Sequence, residues 1–175
     1  MISPTVESAA KEDFPDLVAS GALIAKKIGH GTDNMLLGPA MSRTHAVMAV
    51  EAGIEIANQL ADSTDLFATG EIGIGNTTPS SAVAAAIKGR PVIELTGRGT
   101  GLDDAGLAHK VAVVEAALQK NRPDARDGLD ILAKVGGFEL GAIAGLILTM
   151  TLLKYDKNVP ESCPFIFAPT TKNTA

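Results

Sequence analysis

Residues 70–89 read GEIGIGNTTPSSAVAAAIKG, and this stretch constrains the fold more than any other. Gly70, Gly73 and Gly75 punctuate a short apolar segment, a polar run follows, and an alanine-rich stretch then continues to Gly89. Glycines at this density permit unusual dihedrals and let backbone N–H groups converge without side chains in the way. A helix opening directly behind them adds free N–H groups and the positive end of its dipole. The pattern predicts a buried strand over DLFATG, Asp65 to Gly70, and then the glycine loop. Pro79 is expected as the first residue of the helix that follows, where its missing N–H is not needed. A strand, loop and helix in this order argue for an α/β layer architecture with helices on a parallel sheet.

The same arrangement recurs downstream. TGRGTGL, Thr96 to Leu102, is a second glycine cluster, and Asp103 or Asp104 is placed to cap a helix running to about Lys120. Leu107, Val111, Val114 and Leu118 form its apolar face. Ser42 caps a helix to about Ala61, with Ala46, Val47, Val50, Gly53, Ile54, Ala57 and Leu60 on the buried side. RPVIEL reads as a short strand or extended link. LDILAKVGG reads as a short helix closed by Gly136 and Gly137, and FELGAIAGLILTMTLLKYD as the last helix. The first forty residues are broken by proline and glycine and read as irregular or short helix. FIF, near the C-terminus, is a candidate edge strand in an otherwise loose tail. The whole reads as one α/β domain over residues 1–175, with no internal repeat.

Composition narrows the function classes. Aromatic residues make up 3% of the chain and tryptophan is absent, so the core must be built from Ala, Val, Ile and Leu. The net charge of -5, with no basic block, argues against a nucleic-acid surface. Cys163 is the only cysteine, which fits a reducing compartment. GAIAGLILTMTLL, Gly141 to Leu153, is too short for a bilayer, which needs roughly 20 apolar residues. MISPTVESAAKEDFPDL lacks a charged region followed by an apolar run, so no secretory leader is expected. The expectation is a soluble, cytoplasmic protein.

Neither glycine cluster is one of the common phosphate loops. No Lys follows the first as a Walker A loop requires, and GIGNTT puts Thr78 where a dinucleotide fingerprint has its third glycine. On glycine content alone, tight turns and a ligand site are equal alternatives. Two clusters that each open a helix favour the ligand site, with Arg98 as a charge partner. Glu71 is the sharper signal. A carboxylate inside an anion loop has some other role, whether accepting bonds from a sugar or base, accepting a proton if desolvated, or bonding the loop's own N–H groups.

Three segments in order carry a family resemblance: GEIGIGNTTPSSAV, GRGTGLDDAGLAHK and LDILAKVGGFELGAIAGLIL. With GTDNMLLGPAMSRTHAVMAVEAGIEIA upstream, they resemble the nicotinate-nucleotide–dimethylbenzimidazole phosphoribosyltransferases over about Ile28 to Leu148. The resemblance implies a Rossmann-like parallel sheet flanked by helices, incomplete relative to the family. It also implies a homodimer that uses no metal or redox cofactor. The implied reaction moves phosphoribose from nicotinate mononucleotide to dimethylbenzimidazole in cobalamin biosynthesis, giving nicotinate and α-ribazole 5′-phosphate. Carried onto this chain, Gly73, Gly75, Asn76 and Thr77, with Gly97, Arg98, Gly99, Thr100 and Gly101, hold the phosphate and ribose. Lys110 matches a lysine near the phosphate, and Glu71 matches the loop acid facing the reacting ring.

Family members are longer at both ends. Their main catalytic glutamate lies in a GEGTG-like segment with no counterpart in this sequence, and residues 149–175 diverge. Glu71 is then the one family-matched acid, with Glu139 and Glu94 as fallbacks without a motif. The alternative to transfer is a non-catalytic nucleotide-binding relative or an inactive remnant. His30, His45 and His109 share no metal-type spacing, and Met35, Met41 and Met48 are assigned to the core.

Overall fold

The computed structural model describes residues 5–8, 12–64, 67–71, 73 and 75–156. In chain order these form strand β1 (Thr5–Glu7), helix α1 (Pro15–Ala19), strand β2 (Leu23–Ala25) and helix α2 (Arg43–Leu60). Helices α3 (Thr77–Lys88), α4 (Val92–Leu95), α5 (Asp104–Asn121), α6 (Gly128–Val135) and α7 (Phe138–Asp156) follow. The fold is α/β, and among the described residues its sheet is small. β1 and β2 pair in parallel with Thr5 opposite Leu23, Val6 opposite Ile24 and Glu7 opposite Ala25.

This sheet corrects two expectations. The strand pairing lies in the punctuated N-terminal stretch, where TVE and LIA are short β-prone runs joined by α1 as a crossover. Phe67 to Gly70, by contrast, carry no strand, and residues 65–66 lie outside the described residues. RPVIEL is also not extended, because α4 makes one helical turn over Val92–Leu95. Only Val92 of that turn is buried, while Ile93 and Glu94 face solvent, and Thr96 Oγ1 donates back to the Val92 carbonyl at 2.8 Å. The FIF segment and Cys163 lie outside the described residues.

The remaining helices follow their local signals closely. Ser42 Oγ accepts from the His45 N–H at 3.1 Å, and Asp103 Oδ1 accepts from the Gly106 N–H at 2.7 Å, so both expected N-caps are formed. Gly89 ends α3 in the left-handed region at φ 60°, which glycine enters without strain. Helix α3 begins at Thr77, so Pro79 sits in the first turn rather than at its first position. That is still among the positions whose N–H has no intrahelical partner.

Helix α6 lies between two apolar clusters. One joins Ala82 and Ala85 of α3, Val92 of α4, Val111 and Val114 of α5, and Ile131 and Val135 of α6. The other joins Met41, Ala46 and Ala49 with Leu132 and Ala133 of α6 and Phe138 of α7. Met41 is buried as expected, but Met48 faces solvent, because α2 turns Ala46, Ala49, Ala52, Gly53, Ile56 and Ala57 inward. Small residues occupy that face because α7 lies very close to it. A Cβ on Gly53 would come within 2.8 Å of the Ala142 carbonyl carbon, and one on Gly141 within 2.7 Å of the Ala49 Cβ. Burial on this scale supplies the main driving force for the helical layer. No helix among the described residues is long and apolar enough to cross a membrane.

Candidate active site

The two glycine clusters, far apart in sequence, meet at one buried cation. Lys110 lies on the inner face of α5 with 7% of its surface exposed. Its Nζ donates to Thr77 Oγ1 at 2.8 Å and to the Gly97 carbonyl at 3.0 Å. Thr77 is the first residue of α3, so this lysine ties the N-terminus of α3 to the second cluster. Burial pushes the Lys110 ammonium below its usual range. Two neutral acceptors offset part of that desolvation, and an anion at this point would offset more.

Gly99 closes over the same pair. It has φ 60°, and a Cβ there would sit 3.2 Å from Thr77 Oγ1 and 3.7 Å from Lys110 Nζ. A side chain would be strained by the backbone and would crowd the cation. Gly75, in the first cluster, also has positive φ, and its carbonyl accepts from the Thr78 N–H at 3.1 Å. Asn76 follows it, with Nδ2 buried and without a hydrogen-bond partner among the described residues, packed 3.2 Å from where a Gly73 Cβ would lie. Thr100 and Gly101 are exposed and complete the turn into α5. Arg98 is engaged inside its own loop: Nη1 donates to the Leu102 carbonyl at 2.9 Å and Nη2 pairs with Asp104. An incoming phosphate would compete with Asp104 for that guanidinium.

Glu71 is exposed on the first loop, yet partial burial of its carboxyl pushes it above the ordinary glutamate range. Glu139, in the first turn of α7, is driven up more broadly: first by burial, against a bond from its own N–H, and further by the Glu71 carboxylate. Glu139 Oε1 is buried without a hydrogen-bond partner among the described residues, an outcome with no sequence signal beyond the unusual GGFE at a helix start. Glu94, the other fallback, is spent in an exposed i,i+4 pair with Arg90. His109 is exposed on α5 beside Lys110, and His45 lies edge-on to Phe138 at 6.1 Å. Elsewhere, a cleft of about 490 Å³ beside β2 is lined by Val18, Leu23, Lys26 and Gln59. Lys26 there is committed to Glu55 at 2.6 Å, and none of the site residues above lines it.

Residues 5–155 match the phosphoribosyltransferase family. A nicotinate-nucleotide–dimethylbenzimidazole phosphoribosyltransferase of Desulforudis audaxviator (strain MP104C) is 63% identical over 129 residues, covering 73% of this chain and 36% of the relative. The same enzyme of Syntrophotalea carbinolica is 55% identical over 149 residues, covering 85% of this chain and 42% of the relative. The crystal structure of CobT from Thermus thermophilus superposes with a TM-score of 0.72 at 37% identity, covering 90% of this chain and 45% of that one. This chain thus spans about two fifths of the length of the curated relatives it matches.

Proposed function

The chain belongs to the nicotinate-nucleotide–dimethylbenzimidazole phosphoribosyltransferase family, and from that premise we propose that it binds nicotinate mononucleotide and passes its phosphoribosyl group to dimethylbenzimidazole. The observation that supports this reading is Lys110, a buried cation held at once by Thr77 of the first cluster and Gly97 of the second. In this reading the phosphate replaces those neutral acceptors in part. It takes N–H donors from Gly73, Gly75, Asn76 and Thr77 at the start of α3 and from Gly97, Arg98, Gly99, Thr100 and Gly101.

The chemistry then needs little beyond position and one proton acceptor. The azole nitrogen lone pair attacks the anomeric carbon from the face opposite the leaving group. The bond from that carbon to nicotinate breaks, and its electron pair returns to the pyridine nitrogen. The azole N–H proton passes to the Glu71 carboxylate, whose partial burial strengthens it as a base. The products are nicotinate and α-ribazole 5′-phosphate, and the step serves assembly of cobalamin. The same reading places the protein in the cytoplasm as a homodimer. Exposed Leu148 and Leu152 on α7 are apolar surface that a second copy would cover.

The test is direct. The purified chain is incubated with both substrates while nicotinate and α-ribazole 5′-phosphate are followed by chromatography and nucleotide binding by calorimetry. Product formation by the chain, and loss of binding by about 10–100-fold in Lys110→Met, is the expected result. Nucleotide binding without product refutes transfer by this chain, and unchanged binding in Lys110→Met refutes the role given to the lysine.

A further inference from the structure

The second glycine cluster brings a further cation to the site. Arg98 is the one basic residue within either cluster, over residues 70–78 and 96–102. Its backbone stands between two residues that reach the buried lysine. Gly97 accepts from Lys110 Nζ at 3.0 Å, and a Cβ on Gly99 would lie 3.7 Å from the same nitrogen and 3.2 Å from Thr77 Oγ1. Lys110 is buried and fixed by its two acceptors, whereas the Arg98 side chain is half exposed. Its guanidinium folds back along its own loop, with Nη1 donating to the Leu102 carbonyl at 2.9 Å and Nη2 paired with Asp104.

Asp104 is not needed there as a helix cap. Asp103 caps α5, its Oδ1 accepting from the Gly106 N–H at 2.7 Å. Asp104 lies one position on, in the first turn of α5, with 93% of its side chain exposed. Solvent screens an ion pair as open as this one, so it holds the guanidinium only weakly. A phosphate monoester carries about two negative charges near neutral pH and meets the planar fork of arginine with two oxygens, a stronger claim than one screened carboxylate makes. A ligand carboxylate offers Arg98 only what Asp104 already supplies from six residues away. The bond to Leu102 keeps the guanidinium beside the loop while Nη2 changes partner.

We propose that Asp104 is a built-in competitor for the ligand's phosphate, holding Arg98 in the empty site and releasing it to a phosphate monoester but not to a carboxylate. The competitor stands on this chain's own ion pair, and the identity of its rival rests on the function proposed above. Asp104 makes no bond to the ligand and acts on specificity through Arg98.

NMR titrations that follow amide shifts of the purified chain, with nicotinate mononucleotide and separately with ribose 5-phosphate, test this. Asp104 is exposed and Asp103 keeps the cap, so Asp104→Asn is expected to fold, which amide dispersion verifies; Asp104→Ser is the second variant. The expected result is binding of both ligands about 2–5-fold tighter in Asp104→Asn at low salt, the range for one exposed ion pair, and no tightening where Arg98→Gln is already present. Equal tightening in the Arg98→Gln background traces the effect to lost charge alone and overturns the proposal. Tightening for the mononucleotide but not for ribose 5-phosphate assigns Arg98 to the ring carboxylate and overturns it too. Unchanged nucleotide binding in Asp104→Asn refutes the competitor and leaves the proposed function standing. Unfolding of both Asp104 variants makes the residue structural and also refutes it. No binding of either ligand by parent and variants alike refutes both readings. Tightened binding without product in the chromatographic assay keeps the competitor and refutes transfer.

Discussion

Replacing Gly145 by alanine puts a methyl group where α2 and α7 leave no room for one. The new Cβ would sit 2.9 Å from the Val50 carbonyl carbon, 3.2 Å from the Ile54 nitrogen and nearer still to the Val50 oxygen. Ordinary carbon–carbon contact is about 3.5–4.0 Å, so the helices must part by about 1 Å. The obstructing atoms are backbone, which cannot rotate aside as a flexible side chain would. Parting the helices loosens the contacts of Ala49, Ala52 and Ile56, all buried on α2. Overpacking of this kind costs about 3–4 kcal/mol, at or above the upper end of the usual range. Alanine recovers about 1 kcal/mol through its better helix propensity. The net loss is about 2–3 kcal/mol, which lowers Tm by about 4–12 °C in a chain of this size. Far-ultraviolet circular dichroism against temperature measures it. Gly128→Ala is the matched control, because nothing lies within 4 Å of its added Cβ; its Tm is expected to stay level or rise. A Gly145→Ala protein that melts at or above the parent would refute the close-approach argument.

Other perturbations probe the site. Thr77→Val removes the 2.8 Å acceptor of Lys110 while keeping the shape, and is expected to cost about 1.5–3 kcal/mol in urea unfolding and to weaken nucleotide binding by calorimetry. Gly99→Ala forces a side chain into φ 60° beside Thr77 and Lys110, and should lower both Tm and nucleotide affinity; unchanged affinity would remove Gly99 from the site. In an active chain, Glu71→Gln should abolish most turnover with nucleotide binding retained, and full turnover would exclude it as the base. Stability should also depend on pH in a defined direction. Glu139 is raised in the folded chain, so its contribution is fully present below the unfolded glutamate value of about 4.3 and is lost as pH rises through its folded value. The parent therefore gains stability as pH falls from neutral toward that value, and Glu139→Gln should lack most of this gain. At lower pH the trend reverses, because Asp127, bonded to Arg43, and Asp130, bonded to Lys134, are held below the usual carboxylate range and lose their contribution on protonation.

Helix ends were the most legible part of the chain. Ser42 and Asp103 cap helices, and Gly89 and Gly136 close them, because each signal acts on N–H or carbonyl groups within three or four residues. Strands were the least legible. β1 and β2 are three residues each, and their pairing depends on α1 bringing them together rather than on any run long enough to show a period. VIEL has β-branched residues but forms a turn of helix, because Val92 enters the core against Ala82, Ala85, Val111 and Val114 and Leu95, three residues on, packs against the same cluster, while Ile93 and Glu94 face solvent. The inward face of α2 was half legible: its period was plain, but α7 selects the alanine and glycine stripe over Val47 and Met48.

The candidate site divides along the same line. Sequence by itself determined the caps, the glycine loops that free backbone N–H groups, the presence of Lys110 and Glu71, and the family that carries them. These are local chemistry, encoded in the residues that perform it. Tertiary structure alone decided that Lys110 spans 33 residues to reach Thr77 and that Arg98 turns to Asp104. It also decided that Glu139, without a motif of its own, has Oε1 buried and without a hydrogen-bond partner among the described residues. Those outcomes depend on where α5 and α7 come to rest, which the packing of buried apolar faces around α6 sets. Hydrophobic burial is non-directional, so no short window of sequence specifies which distant polar groups it brings together.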